Sequence, residues 1–424
     1  MKIKAINGVK DILSDEIVFW RKIEKTAHDI FRRFGMHEIR LPILEKTELF
    51  TRTIGEATDI VEKEMYTFVN KGITMRPEIT ASLLRAYVEH GLQVQQPVQR
   101  LFSIGPVFRH ERPQKGRQRQ FHQVDVEVIG AQEPQVDAEL MAMGQMLLNE
   151  LNLDVSLEIN SLGCPECRPD FRKKLVAYLH ECNDSLCDDC KRRTEKNPLR
   201  VLDCKQQGCR SMVQEAPSIL DNLCSACEDH FAAVQQQLDR LEVSYTLNRF
   251  MVRGLDYYNR TTFEFLTTDL GAQAAVAAGG RYDGLIEQLG GPKKTPGIGF
   301  AMGMERLFLL MQQQEGQNEE QGGADIFIAA LGEQAMQFAA PLVHQLRKLG
   351  LHAAMDYSNR SLKAQMKQAG RVKAGFTLII GEQELEQGRG ILRNMNTQEQ
   401  NEFSLQEGAA VLAEVIAPDK VDNS

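Results

Sequence analysis

Between positions 105 and 130 the chain reads GPVFRHERPQKGRQRQFHQVDVEVIG, and a loop inside it gathers Arg109, His110, Glu111, Arg112, Lys115, Arg117 and Arg119. Guanidinium groups are planar, bidentate donors that match phosphate oxygens better than ammonium groups do, so this crowding implies a polyphosphate ligand. No GxxxxGK[ST] and no GxGxxG after a strand occurs, so arginine side chains, not a glycine-rich loop, must hold that phosphate. The flanking runs alternate with the period of a strand. In the outgoing run Phe102, Ile104 and Phe108 share one face, with Val107 and Arg109 on the other. In the returning run Val124, Val126 and Val128 face the core, which puts Phe121, Gln123, Asp125 and Glu127 together on the opposite side. Such a row can be a solvated outer face of an antiparallel sheet. Beside a basic loop it reads instead as a platform for a small charged substrate.

A second chemistry is carried by sulfur. All nine cysteines fall between 164 and 227. Cys187-x2-Cys190 and Cys204-x4-Cys209, thirteen residues apart, have zinc-ribbon spacing, and the outer pairs Cys164-x2-Cys167 and Cys224-x2-Cys227 offer a second, nested site; Cys182 is left over. In a reducing cytosol disulfides are disfavoured, and tetrahedral thiolate coordination of Zn²⁺ would staple a segment short of apolar core. An iron–sulfur cluster or metal-free thiols are the alternatives.

The elements that position these residues follow from periodicity. With 424 residues the chain is long enough for more than one domain. The net charge of −8 excludes a generally basic nucleic-acid coat, so any nucleic-acid contact must come through local patches. No apolar run approaches the ~18 residues that span a bilayer. The start, MKIKAINGVKDIL, lacks a secretory h-region, so a cytoplasmic protein is expected. Apolar spacing predicts a helix over 15–34 stopped by Gly35, a strand in HEIRLPIL, a helix over 74–90 with Pro77 and Glu78 in its first turn, and another over 138–151. Strand texture resumes after the cysteines, at SYTLNRFMVRGLDYYNRTTFEFLT, so one core is interrupted and resumed. The polar stretch 312–325 reads as a linker. Beyond it come strand, helix, strand, a basic helix, strand and a final helix, an α/β module with a parallel-leaning sheet. Arg360, Lys363, Lys367 and Arg371 are placed on one face of its basic helix, a candidate polyanion contact.

At this point the residues reach a known family. FRHERPQKGRQRQFHQ resembles motif two of the class II aminoacyl-tRNA synthetases, GIGFAMGMERL their motif three, and RLPILEKTELF their dimer-forming motif one. TMRPEIT, RGLDYYNR and GGRYDG resemble the signatures of histidyl-tRNA synthetases. The resemblance implies an α+β catalytic core on a six-stranded antiparallel sheet and a C-terminal α/β anticodon-binding domain; the small cysteine-rich insertion between the core halves is where the chain departs from it. The corresponding boundaries are 1–163 and 241–320 for the two parts of the core, 164–240 for the insertion and 325–424 for the last domain. It implies a homodimer that uses ATP and Mg²⁺ to join L-histidine to tRNA(His), with structural Zn²⁺ suspected from the cysteines.

Carried over residue by residue, the resemblance makes Glu127 and Tyr257 the partners of the substrate imidazole and sets Glu78 and Thr80 around its α-ammonium. Gln123 bridges its amino and carboxylate groups, and Tyr258 lines the pocket. Arg109 and Arg253 face the α-phosphate as the catalytic pair and also touch histidine. Glu111 meets adenine, while Arg117 and Arg306 clamp the γ-phosphate. Arg112 and Arg119 are placed near the tRNA acceptor end, and Arg360, Lys363 and Lys367 near the nucleic acid elsewhere. A rival reading is the synthetase-like regulatory subunit of ATP phosphoribosyltransferase, which usually lacks the histidine signatures and the anticodon domain. Another is a zinc-dependent RNA-binding protein, which leaves the polar row and Arg306 unexplained.

Overall fold

The computed structural model describes residues 3–55, 58–114, 116–271, 275–315 and 323–417. They fall in two compact units, Met1–Gln317 and Asn318–Ser424. Lys115 and residues 316–322 of the expected linker lie outside the described residues.

The first unit is built on the predicted hairpin. Strands Gln99–Phe108 and Gln120–Ile129 pair antiparallel, with Ile104 opposite Val124 and Phe102 opposite Val126. The sheet continues through Gly297–Gly303, Ala275–Arg281, Asn259–Leu266 and Ser156–Ser161, all antiparallel, which gives the expected six strands. Two-residue strands, His37–Glu38 and Thr246–Leu247, add in parallel at the two edges. Ser156–Ser161 precedes the cysteines and its neighbour Asn259–Leu266 follows them, so the insertion leaves and rejoins the sheet at one place.

One face of this sheet is dry. Val124, Val126 and Val128 are fully buried against the helices Ser14–Arg33, Pro134–Glu150 and Met304–Glu315. Helix Ser14–Arg33 contributes Trp20, Ile23, Ala27, Ile30 and Phe31 at the predicted spacing, and Gly35 with φ +67° follows it. Each fully buried side chain of this size stabilises by roughly 1.5–3 kcal/mol.

A charged network ties the layers together. Arg281, fully buried, holds Asp137 through Nε at 2.8 Å and Nη2 at 2.6 Å, and its Nη1 and Nη2 also donate to the carbonyls of Ala131 and Glu133. His230 Nε2 lies 2.9 Å from the same carboxylate, so strand Ala275–Arg281 is joined to helices Pro134–Glu150 and Ser225–Arg240. Burial alone would raise the Asp137 carboxyl, but His230 and Arg281 outweigh it and hold it below the usual carboxylate range.

Three local expectations change. HEIRLPIL yields a strand at His37–Glu38 and again only from Leu44, because Pro42 lacks an N–H and Arg76 draws the carbonyls of Leu41 and Pro42 to its Nη1. The helix expected over 74–90 begins at Thr80, since Ile73–Met75 pairs in a small three-stranded sheet with Leu44–Lys46 and Tyr66–Phe68. Pro77 and Glu78 therefore precede the helix, and Glu78 Oε1 accepts the Ala81 N–H at 2.8 Å as a cap.

In the second unit, Ala353–Met355, Ile326–Ala330 and Phe376–Ile380 are parallel, as expected. The rest of its sheet was not: Arg389–Asn394 and Gln400–Ser404 form an antiparallel hairpin before the final helix Gly408–Ile416. Its turn is set by Asn394, whose Oδ1 accepts the N–H groups of Asn396 and Thr397. The basic helix starts at Leu362, leaving Arg360 outside it and bound to Asp356 Oδ2 at 2.6 Å, so the expected four-residue basic face is reduced.

Replacing Asp137 with Asn should leave Arg281 buried without its counter-charge and destabilise the first unit by about 3 kcal/mol, read as a lower thermal midpoint. The Asp137 contribution is fully present above the unfolded carboxyl pKa of about 4 and is lost as pH falls through the lower folded value. The difference between wild type and Asp137→Asn should therefore shrink in acid.

Candidate active site

On the other face of the central sheet lies a cleft of ≈ 220 Å³. Its floor is the predicted polar row, with Phe121, Gln123 and Asp125 lining it and Glu127 next in the strand. Glu78, Asp125 and Glu127 are 3%, 2% and 1% exposed. Burial raises the Glu78 carboxyl, and it raises Asp125 well above the usual range, with the charges of Glu127 and Glu78 adding to it. Burial likewise pushes Glu127 up to about 8, against hydrogen bonds from Tyr282 and Thr80. Three carboxyl groups held out of water favour a ligand bearing an ammonium or N–H donors, because such donors offset the desolvation of each anion.

Several polar atoms here lack a protein partner. Gln123 Oε1, Asp125 Oδ1 and Tyr257 Oη are buried without a hydrogen bond among the described residues. A buried polar atom left so costs about 1–3 kcal/mol, which a polar ligand would recover. All three residues line the cleft.

The opposite end is cationic. Arg109 follows the strand Gln99–Phe108, is oriented by its Nε bond to Pro77 O at 2.8 Å, and lies over the Phe121 ring. Arg253 pairs with Glu264 and lies over the Tyr258 ring; burial would lower its pKa, but Glu264 outweighs that and raises it. Arg306 donates to the carbonyls of Gly116 and Ala275. Burial and then the nearby charge of Arg117 push Arg306 down, the mark of a region crowded with positive charge. Arg117 meets Glu111 at 2.7 Å. The cleft thus presents acids to one end of a ligand and arginines to the other.

The structure brings Glu78, Thr80, Arg109, Glu111, Arg117, Gln123, Arg253, Tyr257, Tyr258 and Arg306 together around this space. It does not bring Arg119 into it: that guanidinium donates to Glu111 O and Asn7 O, which fastens the N-terminal segment to the loop. Arg112 is exposed on the loop. Lys363 and Lys367 are exposed in the second unit.

Sequence reasoning missed three participants. Tyr282 donates to Glu127 Oε2 at 2.6 Å, although GGRYDG was already marked as a signature. Asp125 was placed in the polar row without a role, yet Thr80 Oγ1 donates to it at 3.4 Å. Glu305, beside Arg306, accepts the His122 N–H at 3.0 Å and meets His122 Nδ1 at 3.1 Å, which fixes the strand just before Gln123. The missing signal was cross-strand contact. Gly299 faces Glu127 in the register, and a Cβ there would stand 1.7 Å from Glu127 Oε2.

The cysteines form two groups of four, Cys164, Cys167, Cys224, Cys227 and Cys187, Cys190, Cys204, Cys209, as the nested pairing anticipated. Within each group the sulfurs lie within 4.8 Å of one another, including 3.6 Å between Cys164 and Cys167 and 3.9 Å between Cys187 and Cys204. Four thiolates at the usual Zn–S distance stand about 3.8 Å apart, so a tetrahedral ion fits both groups. Main-chain N–H groups of Cys224 and Cys187 donate to Cys167 Sγ and Cys209 Sγ.

Comparison with known proteins places this geometry. The chain matches the family Histidyl-tRNA synthetase over residues 8–307 and the family Anticodon binding domain over residues 325–415. It is 61% identical to the histidine–tRNA ligase of Desulfotalea psychrophila, across 96% of this chain and 95% of that one. The ligase of Geobacter metallireducens is 54% identical across 95% and 97%. Among solved structures, apo S. aureus histidyl-tRNA synthetase superposes with a TM-score of 0.80 at 37% identity, covering 98% of this chain and 100% of that one.

Gly299→Ala should cost about 3 kcal/mol of stability, because the added carbon meets a strand carbonyl as well as Glu127. Gly303→Ala in the same strand, whose nearest neighbour would be 3.9 Å away, should leave the thermal midpoint nearly unchanged.

Proposed function

The chain belongs to the histidyl-tRNA synthetase family, and we propose how its cleft divides the family's reaction among the residues described. The activity is that of a histidine–tRNA ligase: L-histidine and ATP give histidyl-adenylate and pyrophosphate, and histidine then passes to the 3′ end of tRNA(His). The regulatory-subunit reading is not favoured, since the match to ligases runs over nearly the whole chain and includes the anticodon-binding unit.

On our reading the acidic end takes the amino acid. Glu127, positioned by Tyr282, and Tyr257 receive the imidazole; Glu78 and Thr80 surround the α-ammonium; Gln123 reaches the amino and carboxylate groups; Tyr258 closes the pocket. The observation that carries this is the set of buried carboxylates and unpartnered polar atoms at one end of a cleft whose other end is arginine. An analogue lacking the imidazole N–H groups would leave those atoms unpaired, which is a strong basis for rejection.

Activation then needs the histidine carboxylate to attack the α-phosphorus in line as the bond to the pyrophosphate oxygen breaks. Arg109 and Arg253 flank the α-phosphate and neutralise charge gathering on its oxygens. Arg117 and Arg306 hold the γ-phosphate, and Glu111 contacts adenine. The acids at this end are engaged, Glu111 by Arg117, Glu264 by Arg253 and Glu305 by His122, so Mg²⁺ would be bound chiefly by the phosphates of ATP, where it would supply further charge neutralisation. In the second step a ribose hydroxyl of the terminal adenosine attacks the acyl carbon and AMP leaves; Arg112 is the loop residue offered to that end. Lys363 and Lys367 are offered to tRNA by the second unit.

We assign residues 1–163 and 241–320 to the catalytic core, 164–240 to the insertion and 325–424 to the anticodon-binding domain. Zn²⁺ in the two cysteine groups fits their spacing. The protein acts in the cytoplasm as a homodimer; Ile43, Leu44, Phe68 and Val69, exposed on and beside the small three-stranded sheet, are the apolar surface that supports association through motif one.

ATP–pyrophosphate exchange across a panel of amino acids tests the reading: exchange should occur with histidine alone, and Arg253→Ala should reduce it about 100- to 1000-fold with an unchanged thermal midpoint. Exchange with a different amino acid, or an indifferent variant, would overturn it. Histidine binding should also release a proton. Free Glu127 titrates near 8, so a ligand that favours its ionised form expels the proton below that pH, and affinity should rise from pH 7 to 8 and then level. Calorimetry in buffers of differing ionisation enthalpy reads this release, which Glu127→Gln should reduce, Asp125 being the other raised carboxyl of the row.

A further inference from the structure

The segment 251–258, which carries Arg253, Tyr257 and Tyr258, contains no helix or strand. Among the described residues, the main-chain hydrogen bond from 252–258 to the core is Asp256 N to Ile54 O. At its start the core strand Ser156–Ser161 holds Met251 O through Asn160 Nδ2 at 2.9 Å, and beyond it side chains of the insertion grip the segment. Arg200 Nη1 donates to Arg253 O at 3.0 Å, Asn197 Nδ2 donates to Asp256 Oδ1 at 3.0 Å, and Arg168 Nη2 donates to Tyr258 O. The three contacts span the segment from its first catalytic residue to its last.

Both arginines are anchored beside a cysteine group. Arg168 follows Cys167 directly and begins the helix Arg168–Glu181; its N–H bonds to Cys164 O, and its Nε to Leu162 O at 3.2 Å. Arg200 lies in the short turn Pro198–Val201, whose Val201 is fully buried with Cys190 and Cys204, and Val201 O accepts the Cys204 N–H. The insertion's own core is small and includes the sulfurs themselves. Whatever fixes the sulfurs therefore fixes the roots of both arginines.

We propose that Arg168 and Arg200 are positioning residues for histidine activation: two guanidinium–carbonyl tethers through which the metal-bound cysteine groups hold 253–258 in its catalytic arrangement. Occupancy of the cysteine groups by Zn²⁺ then sets the competence of the cleft as well as the fold of the insertion. The proposal rests on the roles given above to Arg253, Tyr257 and Tyr258. Arg200 is not among the residues lining the cleft described above; it acts through the carbonyl of Arg253. A displacement of that residue on the ångström scale is enough to matter, since misplacing a catalytic group by about 1 Å costs on the order of 100-fold in rate.

The test uses the full-length, zinc-loaded protein and three readouts: zinc by elemental analysis, hydrogen–deuterium exchange of peptides covering 251–258, and histidine-dependent ATP–pyrophosphate exchange. Arg200→Met should keep wild-type zinc, lose protection at 251–258, and lower kcat about 10- to 100-fold. Arg200→Lys, which retains one donor, should recover part of both effects, and Arg168→Met should repeat the pattern around Tyr258. Removing zinc from the wild type with a chelator should reproduce the loss of protection. Unchanged protection and kinetics in Arg200→Met would overturn the proposal. So would loss of zinc in that variant, which would make the arginine a support of the cysteine group, or undisturbed protection after chelation. A wild-type protein without histidine-dependent exchange would instead refute the assigned activity, while the deuterium readout would still judge the tethers.

Discussion

Three carboxyl groups kept out of water on one face of a sheet are the constraint that organises this molecule. Each would be simplest to bury as a neutral acid, and Glu127 and Asp125 are pushed in that direction. Their retention requires hydrogen bonds where they can be had: Tyr282 to Glu127, Thr80 to Asp125, and the Ala81 N–H to Glu78. It also requires room. Gly299 leaves space for Glu127, and Gly297 leaves space for the Tyr282 ring, whose atoms a Cβ would approach to 2.1 Å. The glycines in GIG thus reflect side chains of neighbouring elements more than any turn.

The arginines answer a different problem. A site for a polyphosphate must hold several like charges near one another before the ligand arrives, and each tends to repel the rest. Here every one is engaged by an oxygen of the protein: Arg109 by Pro77 O, Arg117 by Glu111, Arg253 by Glu264, and Arg306 by Gly116 O and Ala275 O. These partners fix geometry as well as charge. Acceptors that orient donors in advance lower the reorganisation needed when phosphate enters.

What the sequence revealed follows the range of the interactions involved. The motif-two hairpin was legible because period-two alternation assigns faces locally, and Val124, Val126 and Val128 did turn to the core opposite Gln123 and Asp125. The helix Ser14–Arg33 was legible for the same reason at its own period. The nested cysteine pairs were legible because knuckle spacing is local, although their convergence is not. The start of the helix at Thr80 was misplaced because strand pairing with residues thirty positions earlier claims Ile73–Met75. The hairpin Arg389–Ser404 was missed although Gly388 marked its start and Asn394 its turn. Tyr282, Glu305 and the turned-away Arg119 lie inside recognised motifs but take partners far along the chain, which the motifs themselves do not announce.

The cysteine-rich segment sits oddly in this picture if its only task is to fold itself. It leaves the sheet after Ser156–Ser161 and returns to the adjoining strand Asn259–Leu266, so the catalytic segment 251–258 is its return path. A return path with no secondary structure of its own inherits its order from what flanks it. Both flanks are held by the sheet, Thr246–Leu247 by pairing with Ser156–Ser161 and Asn259 onward by its own pairing, while the insertion, whose own core is small and includes its sulfurs, packs on the segment between them. Between those anchors, the side-chain contacts from Arg168, Asn197 and Arg200 add to the order at Arg253. A staple that closes four sulfurs into one tetrahedron stiffens the insertion at the points where those contacts are rooted, and this is a physical reason for the cysteines to lie beside the catalytic loop in sequence and in space.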